Sequence, residues 1–158
     1  LVNAEVEGDK VNLKKYINGG MAVASPTGLI VPVLKNCDAK SFLEMARAIN
    51  DIAVRTRNKK LLPDEIQGGT FTITNYGIFG NIIGIPIINQ PQVAILGVGA
   101  IEKRPKVVTL PDGSDTIAVR TMGMLTMSYD HRIVDGADAD RFLADVKKML
   151  QEFPEGAV

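Results

Sequence analysis

Apolar and polar positions change period several times along the chain. Residues 1–35 read as strands and turns. "VNAEVEG" alternates loosely, and "GGMAVASPTGLIVPVLKN" forms two extended runs joined at Ser25-Pro26-Thr27-Gly28, a strong turn signal. Pro32 marks an edge or irregular position in the second run. Then the period becomes helical. Ser41, followed three residues later by Glu44, is a capping-box signature. Phe42, Met45, Ala46, Ile49, Ile52 and Ala53 follow at helical spacing, which predicts a helix to about Asn58 with one buried face. Pro63-Asp64-Glu65 opens a short helical turn that Gly68-Gly69 stops.

"GGTFTITNYG" is β-branched and aromatic, so it predicts a strand ending in turn residues. "NIIGIPIINQPQVAILGVGAIEKRP" reads as a Gly/Pro-rich loop, then a strand from about Gln92 to Ala100. Pro111-Asp112-Gly113 is a turn. "DTIAVRTMGMLTMSYD" is apolar on both faces, which predicts a central strand. A second helix follows, with Phe142, Leu143, Val146, Met149 and Leu150 on one face. Asp138 and Asp140 sit early in it and Lys147 and Lys148 late, matching the helix dipole. The tail "EFPEGAV" is expected to fray. Strands, helix, strands, helix: this order predicts an α/β fold, an α+β two-layer sandwich with helices packed on a mixed sheet.

Composition narrows the picture. The chain has 158 residues and no net charge, which suits one domain with a real core. The longest apolar stretches, around Ile82–Ile88 and Val93–Ile101, are too short to span a bilayer and are broken by Gly or Pro. No basic segment leads into an apolar one, so no secretory signal is expected. A chain starting at Leu1 reads as a fragment of a longer one. The single Cys37 excludes an internal disulfide, and one Cys with one His cannot build a usual zinc site, so no metal is expected. Basic residues are spread out, which argues against nucleic acid. Any catalysis falls to hydroxyls, carboxylates and one imidazole.

That imidazole is His131, in "SYDHRIVDGADADRFL", among Asp130, Arg132 and Asp135. A lone histidine is commonly structural. This one sits between a strand pattern and a helix N-terminus, where functional loops gather. A neutral ring is available near neutral pH as a general base, provided a neighbour holds its orientation. Asp135, before Gly136, fits a helix N-cap that would rigidify the same loop. In "TFTITNYG", Thr70 and Thr72 need no role beyond a strand face. Thr74 and Asn75 sit where the strand gives way, and a hydroxyl there can donate to a developing oxyanion. "GVGAIE" lacks the third glycine and the following helix of a dinucleotide fingerprint. Met122, Met124 and Met127 read as core filler.

Four segments together resemble one family: "DHRIVDG" (130–136), "GGTFTITNYGIFG" (68–80), "PIINQPQVAILGVGAIEKRP" (86–105) and "ASPTGLIVPV" (24–33). They are similar, in order, to the catalytic inner-core domain of the dihydrolipoamide acyltransferases. These are the E2 components of 2-oxo-acid dehydrogenase complexes, with a chloramphenicol acetyltransferase-like fold. The resemblance implies acyl transfer between the thiols of dihydrolipoamide and coenzyme A, without an acyl-enzyme. It makes His131 the general base, Thr74 the oxyanion donor and Asp135 a support for the site's geometry. Asn75 and Arg132, flanking these, complete the expected site as substrate-binding side chains. No tightly bound cofactor is implied; coenzyme A is a substrate and the lipoyl group an acyl carrier.

The resemblance also implies self-association into trimers, with His131 facing the neighbour's Thr74, and larger 24-mer or 60-mer cores. Lipoyl domains are expected partners, and E1 and E3 components are expected through domains absent here. The match begins partway into the family's catalytic domain, so residues 1–158 are expected to be its C-terminal portion, without lipoyl or subunit-binding domains. Two other readings stand beside it: a non-catalytic oligomeric core fragment serving as a scaffold, and a stand-alone acetyltransferase for a hydroxyl acceptor. Neither nucleic acid nor membrane is expected as a partner. The expected location is the bacterial or archaeal cytoplasm, with the mitochondrial matrix as the alternative. The acyl group is not readable, although "TFTITN" and "PIIN" lean toward acetyl or succinyl.

Overall fold

A computed structural model describes residues 1–26 and 28–154. Its centre is a five-stranded mixed sheet in the order β11-β8-β7-β3-β6. The middle three strands, β3 (Gly19–Met21), β7 (Phe71–Asn75) and β8 (Ala94–Val98), run parallel. The edges, β6 (Val33–Leu34) and β11 (Leu125–Tyr129), are antiparallel to their neighbours. β8 reads AILGV and is buried along almost all its length, as an uninterrupted apolar run flanked by strands should be.

The two helices lie where periodicity put them. α1 (Phe42–Arg57) starts from a complete capping box: Ser41 Oγ accepts from Glu44 N, and Glu44 accepts from Ser41 N. It buries Ile52 and Thr56, and Ile52 alone contributes about 1.5–3 kcal/mol of burial. α2 (Gly136–Gln151) follows β11 and packs on it; Phe142 lies against Phe71 of β7, with ring centroids 5.6 Å apart. The core beneath it is formed by Ala4, Val93, Ala94, Val134 and Ala139.

Smaller ribbons complete the fold. β1 (Ala4–Glu7) pairs with β2 (Lys10–Leu13), and β4 (Val23–Ser25) pairs with β5 (Gly28–Ile30) across the expected turn. Thr27 of that turn and part of the tail, 155–158, lie outside the described residues. Pro32 is buried between β5 and β6, and its carbonyl accepts from Met21 N. The expected helical turn at Pro63–Ile66 is present, and Gly68, with φ +71°, ends that segment.

Two expectations fail, one on a strand and one on Met124. Residues 115–130 form no single central strand. β10 (Asp115–Met122) pairs with β9 (Glu102–Thr109) in a two-stranded ribbon outside the sheet, and β11 is a sheet edge. The strand is interrupted at Gly123-Met124. The ribbon displays its apolar residues rather than burying them: Ile117 is 74% exposed and Val119 64%. Met124 is also exposed, so it is no core filler, whereas Met127 packs on the core.

Candidate functional site

The turn after β11 carries His131. Asp130 N donates to Val93 O (2.7 Å), and Asp130 O accepts from Ile133 N and Val134 N (both 3.0 Å). Val134, fully buried, plugs the turn into the core. The Asp130 carboxylate accepts from Arg132 N (3.1 Å), Nε (2.9 Å) and Nη2 (2.6 Å). This hydrogen-bonded guanidinium holds the Asp130 carboxyl below its ordinary range, and the carboxylate raises Arg132 in return. Arg132 therefore reaches first to Asp130. It also lines, with Asp130, Gln90, Pro91 and Gln92, a surface cavity of about 250 Å³.

His131, between these two charged residues, is exposed. Its ring leans on Tyr129, with centroids 5.5 Å apart. Among the described residues neither ring nitrogen has a hydrogen-bond partner, and Asp135 is not paired with it. Asp135 is the N-cap of α2 and accepts from Asp138 N at 2.8 Å.

Thr74 and Asn75 sit at the far end of β7. Thr74 is half-buried and Asn75 exposed. Thr70 and Thr72, fully buried, serve structure: Thr70 Oγ1 accepts from Asn18 N, and Thr72 Oγ1 donates to Gln92 Oε1. The register gives the separation of the two ends. Thr74 pairs with Gly97 of β8, whereas Ala94, at the other end of β8, pairs with Tyr129. At ~3.3 Å per residue and ~4.8 Å per strand, Thr74 and His131 of one chain lie about 15–20 Å apart. One chain does not bring them into reach of one reacting atom.

Three side chains near these ends carry no signal in the hydrophobic pattern. Asp130 pairs with Arg132 at i, i+2 in a turn. Gln92 anchors Thr72. Tyr76 reaches Thr126 of β11. Among the described residues no group of three metal-ligating side chains forms, and no helix is long and apolar enough to cross a membrane.

Known proteins match this chain along nearly its whole length. The family of 2-oxoacid dehydrogenases acyltransferases (catalytic domain) matches residues 1–157. The dihydrolipoyllysine-residue succinyltransferase component of the 2-oxoglutarate dehydrogenase complex of Bartonella vinsonii subsp. berkhoffii is 46% identical over 157 residues, which cover 99% of this chain and 37% of that protein. The dihydrolipoyllysine-residue acetyltransferase component of the pyruvate dehydrogenase complex of Corynebacterium glutamicum is 50% identical over 135 residues, covering 85% of this chain and 20% of that protein. Among solved structures, a probable dihydrolipoamide acetyltransferase from Listeria monocytogenes superposes with a TM-score of 0.89 at 41% identity, over 99% of this chain and 65% of that one. The dihydrolipoamide acetyltransferase of Azotobacter vinelandii, studied for the catalytic roles of a serine, a histidine and an asparagine, gives a TM-score of 0.86 at 40% identity, over 96% of this chain and 61% of that one. This chain thus spans well under half the length of these curated relatives and under two thirds of these solved chains. Family match, sequence identity and superposed fold agree: the chain belongs to the 2-oxoacid dehydrogenase acyltransferase family, within its catalytic domain.

Proposed function

We propose that this chain transfers an acyl group between the thiols of dihydrolipoamide and coenzyme A, at a site built between two copies. The observation that carries this reading is His131: the sole imidazole, exposed at the head of α2, with both nitrogens free among the described residues. A thiol resembling free cysteine has a pKa near ~8.5 and is mostly protonated at neutral pH. The neutral imidazole takes that proton, and the thiolate adds to the thioester carbonyl. Thr74 Oγ1 donates to the resulting oxyanion. Collapse breaks the original C–S bond, and the imidazolium returns its proton to the departing sulfur. No protein nucleophile is needed, which leaves Cys37 in structure, accepting from Gly19 N and donating to Leu34 O.

The distance between Thr74 and His131 requires the second copy. Each chain then supplies His131 to one site and Thr74 to another. Support comes from a relative described as the cubic core of the pyruvate dehydrogenase multienzyme complex, with a TM-score of 0.86. The histidine and asparagine studied in the Azotobacter vinelandii enzyme are four positions apart, as are His131 and Asp135. Asp135 stands at that same spacing here. Asn75 and Arg132 border the two ends as substrate contacts.

The test is thioester exchange from acetyl- or succinyl-coenzyme A to dihydrolipoamide, with His131→Ala alongside. The expected result is turnover that falls about 10²–10⁴-fold in the variant, and the better acyl donor identifies the acyl group. Oligomers of both proteins that turn over neither donor overturn this reading and favour the non-catalytic core.

A further inference from the structure

Thr74, Gly97 and Thr126 form one row across β7, β8 and β11, each directly opposite the next, so they share a face of the sheet. Gly97 leaves a gap between the two threonines, and Tyr76 fills it. A Cβ at Gly97 would lie 2.6 Å from Thr126 Oγ1 and 2.7 Å from Tyr76 Cε1; a Cβ at Gly84 would lie 2.8 Å from the same ring. The tyrosine therefore occupies a slot that only two glycines permit.

Its hydroxyl is fixed as well. Tyr76 Oη lies 2.8 Å from Thr126 Oγ1, and Thr126 Oγ1 donates to Gly84 O at 2.7 Å. A threonine hydroxyl has one proton, and Gly84 O receives it. Thr126 must then accept from Tyr76. The chain of bonds runs Tyr76 to Thr126 to Gly84. It ties the segment between β7 and β8 to the β11 edge. That segment exposes Ile83, Ile85 and Ile87, and it begins one residue after Asn75.

We propose that Tyr76 is a positioning residue: its clamped ring is the wall beside the Thr74 hydroxyl and limits how long an acyl group fits there. This rests on the acyl-transfer reading. An acyl carbonyl bonded to Thr74 places its chain on the same sheet face, where the first bulk across Gly97 is the Tyr76 ring. Removing the hydroxyl loosens the wall; shortening the side chain moves it back.

The experiment measures kcat and KM for acetyl- and succinyl-coenzyme A in the assembled enzyme. The variants are Tyr76→Phe, Thr126→Val, their double and Tyr76→Leu. Tyr76→Phe should lower kcat about tenfold, the rate equivalent of one net hydrogen bond, with KM held within about twofold. The double should be no worse than the poorer single, because both remove one bond. Tyr76→Leu should shift the succinyl-to-acetyl ratio of kcat/KM about tenfold toward the longer group; thermal unfolding of each variant establishes that it is folded. Equal effects on both acyl groups in folded Tyr76→Leu, or an unchanged kcat in folded Tyr76→Phe, overturns the proposal alone. A wild-type enzyme that transfers neither group overturns the function reading, and this proposal with it.

Discussion

The two ends of the central sheet are finished to different degrees. At the Thr74 end, neighbouring groups are already committed: Tyr76 to Thr126, and Thr126 to Gly84. At the His131 end, the charged neighbours are satisfied by one another or by backbone. Asp130 holds Arg132, Asp135 caps α2, and the imidazole between them stays free. One end is preorganised within the chain. The other leaves an imidazole that no hydrogen bond holds among the described residues. The proposed between-subunit site fits this division, with one imidazole nitrogen available to be oriented and the other available to act.

The strongest way to break that comparison is to disable each end separately. His131→Ala is expected to cost about 10²–10⁴-fold and Thr74→Ala about 10²–10³-fold in thiol-to-thiol transfer. Co-assembling the two variants should restore activity. With random mixing, about a quarter of the interfaces of a cyclic oligomer pair an intact His131 with an intact Thr74. Recovery toward that fraction sharpens the comparison. Mixtures no better than the parents, in assemblies shown to have exchanged subunits, would mean that both groups act within one chain.

Legibility in the sequence follows the same division. α1 and α2 were readable because period and caps agree: Ser41 with Glu44, Asp135 before an amphipathic run. β7 and β8 were readable from β-branched and apolar runs. β9 was not. Its sequence EKRPKVVT is charged and holds Pro105, and among the described residues its only strand partner is β10. An exposed two-stranded ribbon is marginal alone in water. Its apolar Val107, Ile117 and Val119 therefore mislead any argument that equates apolar with central. His131, Thr74 and Asp135 stood out as chemistry types at element ends. Their distance did not, because separation depends on strand order, which no local pattern encodes. Tyr76 was invisible for the same reason: its slot is made by Gly84 and Gly97, neither of them a sequence neighbour.

A smaller effect separates the two duties of Asp135. Asp135→Ala removes the α2 cap and should destabilise by about 1 kcal/mol, or about 2–4 °C in Tm for a domain of this size. Asp135→Asn keeps the cap, since asparagine caps as well as aspartate. Equal Tm and equal turnover in Asp135→Asn would reduce its role to holding the loop. Equal Tm with slower turnover would show that its charge acts on His131 in the assembled site.

The smallest effect concerns the Asp130–Arg132 pair, an ionic contact flanking His131. Asp130 has its folded carboxyl held below the ordinary value by Arg132, so the pair stabilises the turn above the unfolded carboxylate pKa of about 4 and loses that stabilisation as pH falls through the lowered value. Arg132 is 68% exposed, so solvent screens the pair and its contribution is small. Comparing urea midpoints of the parent protein and Arg132→Gln should give a small, constant gap between pH 5 and 8 that closes under stronger acid. Nη1 takes no part in the bonds to Asp130, so it can still meet an anionic substrate. If it does, Arg132→Gln raises KM for coenzyme A and flattens its salt dependence while kcat holds. An unchanged KM would assign Arg132 wholly to the turn, and the His131 end would then contribute its imidazole alone.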